Sequence, residues 1–131
     1  MNELAKEILD TVEVGALATV NVDRTPLVTP LHFVRLGDSI VWISEPTARH
    51  SENAFRNGKA EFVVWDDKKR AVFLKTNVTE LPESEKEAAM AAYKEKLADF
   101  MPRCQNPQIY VAPIGELDEK TTTENWLHFI A

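Results

Sequence analysis

Two hydroxyls and two cations crowd one short stretch of this chain: Ser44, Thr47, Arg49 and His50. The residues before it, Ile40 to Ser44, read as a strand, and Ala48 to Asn57 have the spacing of a short helix. A helix N-terminus offers unpaired N–H groups and the positive end of the peptide dipole. Hydroxyls and a guanidinium in the same turn suit a phosphomonoester, which Arg49 can grip through two parallel hydrogen bonds. The same residues also make a capped surface helix with a solvated arginine, and spacing alone leaves both readings open. A second constellation lies on the preceding strand: Val28, Thr29, Pro30, Leu31, His32 and Phe33. A planar ligand tethered by its phosphate could lie along that strand, with its polar edge on backbone groups. The plainer reading is a core strand carrying a buried histidine.

Several chemistries are excluded. His32, His50 and His128 show neither HxH nor HExxH spacing, so no metal site is expected. GxSxG, the P-loop and GxGxxG are all absent. The single Cys104 rules out an internal disulfide and a thiolate-rich metal site. A net charge of −6 argues against a general nucleic-acid or anionic-membrane binder, because neutralising phosphates needs a basic face. No apolar run approaches the roughly 20 residues of a membrane span. Met1 to Lys6 lack the apolar core of a signal peptide, so the expected location is cytoplasmic. With 131 residues, 44% hydrophobic and 27% charged, the chain reads as one globular domain over residues 1–131.

The elements that must position these residues follow from periodicity. Leu4, Ile8, Leu9 and Val12 share one helical face, with Asn2 as cap and Gly15 as stop. Strands are expected at Gly15–Val22, Leu27–Arg35, Ile40–Ser44, Ala60–Trp65, Arg70–Val78 and Gln108–Leu117, separated by polar turns. Thr47 should cap the short helix and Asn57-Gly58 should end it. Pro82 to Phe100 should form the longest helix, burying Ala89 or Met90, Tyr93, Leu97 and Phe100 or Met101. Trp42, Trp65 and Trp126 read as core or interface residues, one of which can cover a flat ligand. The tail Trp126–Ile130 is apolar, without a readable state. So many strands in so short a chain favour closure into a small barrel, which removes exposed edges. The fold class is α+β and mainly β: a six-stranded antiparallel split β-barrel with peripheral helices.

In order and spacing, Leu17–Pro26 (LATVNVDRTP), Val28–Phe33 (VTPLHF), Gly37–Ile40 (GDSI), Thr47–Asn53 (TARHSEN) and Asn57-Gly58 form a familiar series. The chain resembles the pyridoxamine 5′-phosphate oxidase-like family of FMN-binding split β-barrels, over roughly Leu4 to Val78. The resemblance implies a homodimer with FMN at the subunit interface and hydride transfer through flavin N5. It also implies that Arg49 and His50 hold the phosphate, with the Ser44 hydroxyl at the strand end, and that Ile43 and Thr47 belong to the same cofactor-binding stretch. Val28 to Phe33 would run beside the ribityl chain and ring, and Trp65 and Arg70 would belong to the hairpin that meets the flavin across the interface. Departures matter too. Val28 replaces a flavin-binding Arg, His50 a Lys, Ala71 a Gln on FMN, and Phe33 a Lys on the substrate phosphate. The resemblance therefore implies a relative that does not oxidise pyridoxamine phosphate. It leaves the substrate unnamed and assigns no catalytic acid or base. The alternatives are a flavin carrier or sensor without turnover, and a split barrel that binds deazaflavin F420 or haem, the latter through His32 or His128.

Overall fold

The computed structural model describes all of residues 1–131. In chain order the elements are α1 (Glu3–Thr11), β1 (Val14–Val20), β2 (Pro26–His32), β3 (Val34–Leu36), β4 (Ser39–Ser44), α2 (Arg49–Asn57), β5 (Lys59–Trp65) and β6 (Ala71–Asn77). There follow β7 (Thr79–Glu80), a 3-10 turn (Glu83–Glu85), α3 (Lys86–Leu97), β8 (Gln108–Pro113), β9 (Glu116–Leu117) and β10 (Trp126–Ile130). The strands form a six-stranded sheet in the order β2-β1-β5-β6-β10-β9 and a four-stranded sheet in the order β3-β4-β8-β7. This is a split barrel, mainly β. The expectation of a wholly antiparallel barrel needs one correction: β10 runs parallel to β6, with Leu127 beside Val72. No helix is long and apolar enough to cross a membrane.

Local chemistry explains most boundaries. Asn2 caps α1 by accepting from the N–H of Ala5 at 3.0 Å, and α1 buries Ala5, Ile8 and Leu9. The helix ends at Thr11 rather than at Gly15, because Val12 is already extended. Gly15 lies inside β1, where a Cβ would sit 2.2 Å from the Phe62 ring. The expected strand Leu27–Arg35 is two strands. Phe33 turns fully into the core at the break, so β2 stays in the larger sheet and β3 enters the smaller one. Gly58 ends α2 at φ 75, as its sequence implied.

Further along the chain, α3 is shorter than Pro82–Phe100. It stops at Ala98, and Phe100 and Met101 lie beyond it, half exposed, while Ala89, Tyr93 and Leu97 are buried as expected. The strand expected over Gln108–Leu117 breaks at Gly115, whose φ of 80 turns the chain out of β8 and into β9.

The main core joins both sheets and α1 around Phe33, Trp42, Phe62, Leu17, Leu74 and Tyr110. A smaller cluster seals α3 onto the four-stranded sheet through Val41, Ile43, Tyr93 and Ile109. On β2, an edge strand, the N–H of Phe33 donates to Glu13 O at 3.2 Å. That fixes the ladder: odd-numbered residues of β2 bond to β1, and the backbone groups of Pro26, Val28, Pro30 and His32 face the open edge.

Candidate functional site

Ser44 ends β4 and is 5% exposed. Its Oγ lies 3.0 Å from Nε2 of His50 in the first turn of α2. Burial pushes the His50 imidazole below its usual value, so the ring is neutral at pH 7. The helix begins one residue later than expected, with Ala48 at the cap and no side-chain hydrogen bond to it; Thr47 is exposed and does not cap. The N–H groups of Arg49, His50 and Ser51 consequently find no acceptor within the chain. Arg49 itself is exposed, without a hydrogen bond or ion pair, and faces Asp23 across a groove beside the β1–β2 turn. Four free donors and a fixed dipole at one helix end are chemically suited to an anion.

The strand residues divide by parity. Thr29 and Leu31 point inward and are half-buried. Val28, Pro30 and His32 point to the outer face of the six-stranded sheet, where Trp65 of β5 also emerges, 55% exposed. The His32 ring stacks on Phe100 with centroids 3.8 Å apart. Phe33 is sealed in the core against Phe62, so its ring does not reach that face. Ile43 is buried under α3. Arg70 pairs with Asp66 at 2.7 Å and with Glu7 at 3.0 Å, so its charge is engaged within the chain. The structure thus gathers Ser44 with His50, and Val28, Pro30 and His32 with Trp65. It leaves Arg70 on α1 and turns Phe33 and Ile43 inward.

Residues to which the sequence assigned no part in the site hold these pieces in place. Where β2 breaks into β3, the Tyr93 hydroxyl donates to His32 O at 3.1 Å and accepts from Ile43 N–H at 3.3 Å. Burial pushes this phenol up to about 12, so it stays a donor at every physiological pH. Lys96 donates to Leu9 O at 2.8 Å and to Phe33 O at 3.1 Å, with its Nζ 3.9 Å from the Phe33 ring centre. Both residues lie on α3 three positions apart, the spacing of neighbours on one helical face. Tyr93→Phe should cost about 1–3 kcal/mol, since it leaves a buried N–H and a carbonyl unpartnered. Urea unfolding checks this; an unchanged midpoint would show that neither group depends on the phenol.

On α2, Asn53 is 3% exposed and donates to Thr19 Oγ1 at 3.1 Å and Asn21 Oδ1 at 2.9 Å. Arg56 donates to Asn53 Oδ1 and Val20 O, each at 3.0 Å. The signal for these was available as helical spacing from Arg49: positions 53 and 56 follow it by one and two turns.

The family model described as pyridoxamine 5′-phosphate oxidase matches residues 1–116. The chain belongs to that family. Solved structures place it among split barrels with varied cargo. A heme-binding protein from Mycobacterium smegmatis is 21% identical with a TM-score of 0.72, over 86% of this chain and 50% of that one. The chain thus spans about half the length of that protein. An F420 reductase is 18% identical at TM-score 0.69, over 86% of this chain and 94% of that one. A FAD-binding protein from Mesorhizobium loti is 20% identical at TM-score 0.69, over 87% and 88%. At these identities the likeness shows the fold. Among curated proteins, none matches the chain. In this member of the pyridoxamine 5′-phosphate oxidase family, α2 starts without a side-chain cap.

Proposed function

We propose that the chain is an FMN-binding oxidoreductase that acts as a homodimer on a small molecule. The observation that carries this reading is the start of α2: three N–H groups without acceptors, an unpaired Arg49, and a neutral His50 on Ser44. These donors suit a phosphomonoester and would otherwise be left to water. Bound FMN supplies hydride transfer, and the protein supplies position and electrostatics. Arg49 and the α2 amides hold the phosphate; Pro30 and His32 wall the ring on the outer face of β2. Around β2 that face is largely apolar, with Val28, Ala16, Ala18, Val63, Phe73 and Trp126 outward and the exposed Glu61–Lys75 pair beside them, and Val28 is 64% exposed. A second copy of the chain would cover it. The F420 reductase and the heme-binding protein among the structural neighbours support a redox ligand of this general kind.

Titration with FMN should give saturable fluorescence quenching at one flavin per chain, with sedimentation at twice the chain mass; absence of both would overturn the reading. Arg49→Ala should weaken FMN by about 1–3 kcal/mol through loss of a charge-assisted contact. An unchanged dissociation constant would remove Arg49 from the site.

The buried His50 adds a proton to the binding. In the free protein its pKa lies below the ordinary 6.5, and a phosphate dianion beside it favours the charged ring. Binding therefore takes up a proton. Affinity for FMN falls as pH rises through the window between the free and bound values of His50, whereas riboflavin, without the phosphate, shows no such trend. His50→Gln should flatten the FMN profile; an equally steep profile in the variant would assign the proton elsewhere.

A second reading has its own observation. His32 and His128 both lie half-buried on the outer face with no hydrogen bond to either ring. Either could ligate haem iron, and a Soret band lost in His32→Ala or His128→Ala would support it.

A further inference from the structure

We propose that the groove between the end of α1, β3 and α3 is a second reactive site, in which the Lys96 amine captures a small uncharged aldehyde as an imine. The groove holds about 470 Å³ and brings together Asp10 and Glu13 from the end of α1, Arg35 from β3, and Glu95 and Lys96 from α3. Its size falls within the ~300–1,000 Å³ range of small-molecule clefts. It shares no lining residue with the groove beside the β1–β2 turn, where Arg49 lies.

The surroundings of Lys96 are unusual for an amine on a helix. Its Nζ sits over the Phe33 ring and donates to Leu9 O and Phe33 O. It makes no ion pair, although three carboxylates line the same groove. An ammonium group carries three N–H donors and a neutral amine two. Both carbonyls therefore stay satisfied when the proton leaves. The lone pair then takes the third direction, for which the chain supplies no acceptor. Burial pulls the amine down to about 8, with Arg35 adding to the effect and Asp10 and Glu13 opposing it. A desolvated lysine that is partly neutral is a nucleophile.

The neighbouring charges select the electrophile. Arg35 is spent within the chain, on Asp10 at 2.8 and 3.0 Å and on Gly37 O at 2.7 Å. No free cation is left to hold a phosphate or a carboxylate, and Glu13 and Glu95 repel both. A small uncharged carbonyl compound meets neither obstacle. The lone pair of Nζ attacks the carbonyl carbon, the C=O electron pair moves to oxygen, and a proton passes from nitrogen to that oxygen. Loss of water from the resulting carbinolamine leaves the imine, so amine and aldehyde become imine and water with no change of oxidation state. Glu13 and Glu95 are the groups in the groove that can relay these protons. An imine nitrogen has at most one N–H, so capture takes the donor from Leu9 O or from Phe33 O.

The test treats the full chain with propionaldehyde and cyanoborohydride, which fixes imines as secondary amines, and maps the modified lysines by peptide mass. Lys94, exposed on the same helix, is the internal reference. At neutral pH Lys96 should be alkylated about tenfold faster than Lys94, because far more of it is free amine. Its rate should level off as the pH passes about 8. In urea the difference between the two lysines should vanish. Equal rates in the folded chain, a Lys96 rate that climbs without a plateau, or a difference that survives unfolding would each overturn the assignment.

Discussion

Phe62→Ala lowers the folding stability by about 3–5 kcal/mol, the range for removing a buried aromatic ring. Phe62 is 1% exposed on β5, and its ring meets Trp42 at 5.9 Å and Phe33 at 5.3 Å. Gly15 of β1 lacks a Cβ where one would strike the same ring. No small neighbour stands ready to fill the space, because the surrounding rings are held by both sheets. The loss should appear as a lower urea midpoint with an unchanged slope. Because Phe33 marks the break between β2 and β3, its loosening should also reach His32 and weaken ligand binding. A loss below about 1 kcal/mol would mean that the core collapses onto the gap.

Gly115→Ala should be nearly as damaging. Its φ of 80 lies in the left-handed region, which costs an alanine about 1–2 kcal/mol. A Cβ there would also lie 2.2 Å from the Ile130 carbonyl oxygen, a backbone atom that can yield only by moving β10. Displacing packed structure adds about 1–3 kcal/mol, so the total is about 2–5 kcal/mol. Hydrogen exchange should show the β10 amides losing protection before those of β1 and β5. Equal protection in variant and parent would show that β10 does not rely on this close approach.

These two sites also show where the sequence was legible. The β1–β2 and β5–β6 hairpins could be read from alternation and turn residues, because both partners of each pair are local. Asn2 and Gly58 were readable as caps for the same reason. The tail Trp126–Ile130 was not, since its partner is β6, a parallel strand far back in the chain, and the alternation of a single strand does not name its neighbour. The break at Phe33 hid inside the run Leu31-His32-Phe33-Val34, which has no glycine, proline or other turn residue to mark a change of face. At the site, Ser44 and His50 were legible as a strand end meeting a helix start. Thr47 was misread as a cap because its hydroxyl fits the role, whereas the chain places Ala48 there and leaves the amides open. Phe33 and Arg70 were placed by motif position alone, which carries no information about where a side chain turns or what neutralises it.

The parity of β2 governs how the molecule behaves in a crowd. An open sheet edge is a template on which a foreign strand can grow, and long free edges invite polymerisation. Along this edge the outward-facing residues include Pro26 and Pro30, neither of which has an N–H to offer, and the His32 carbonyl is already taken by Tyr93. An incoming strand would find its ladder interrupted at alternate rungs. The strand can stay uncovered for a small ligand and still refuse an endless stack of its own kind.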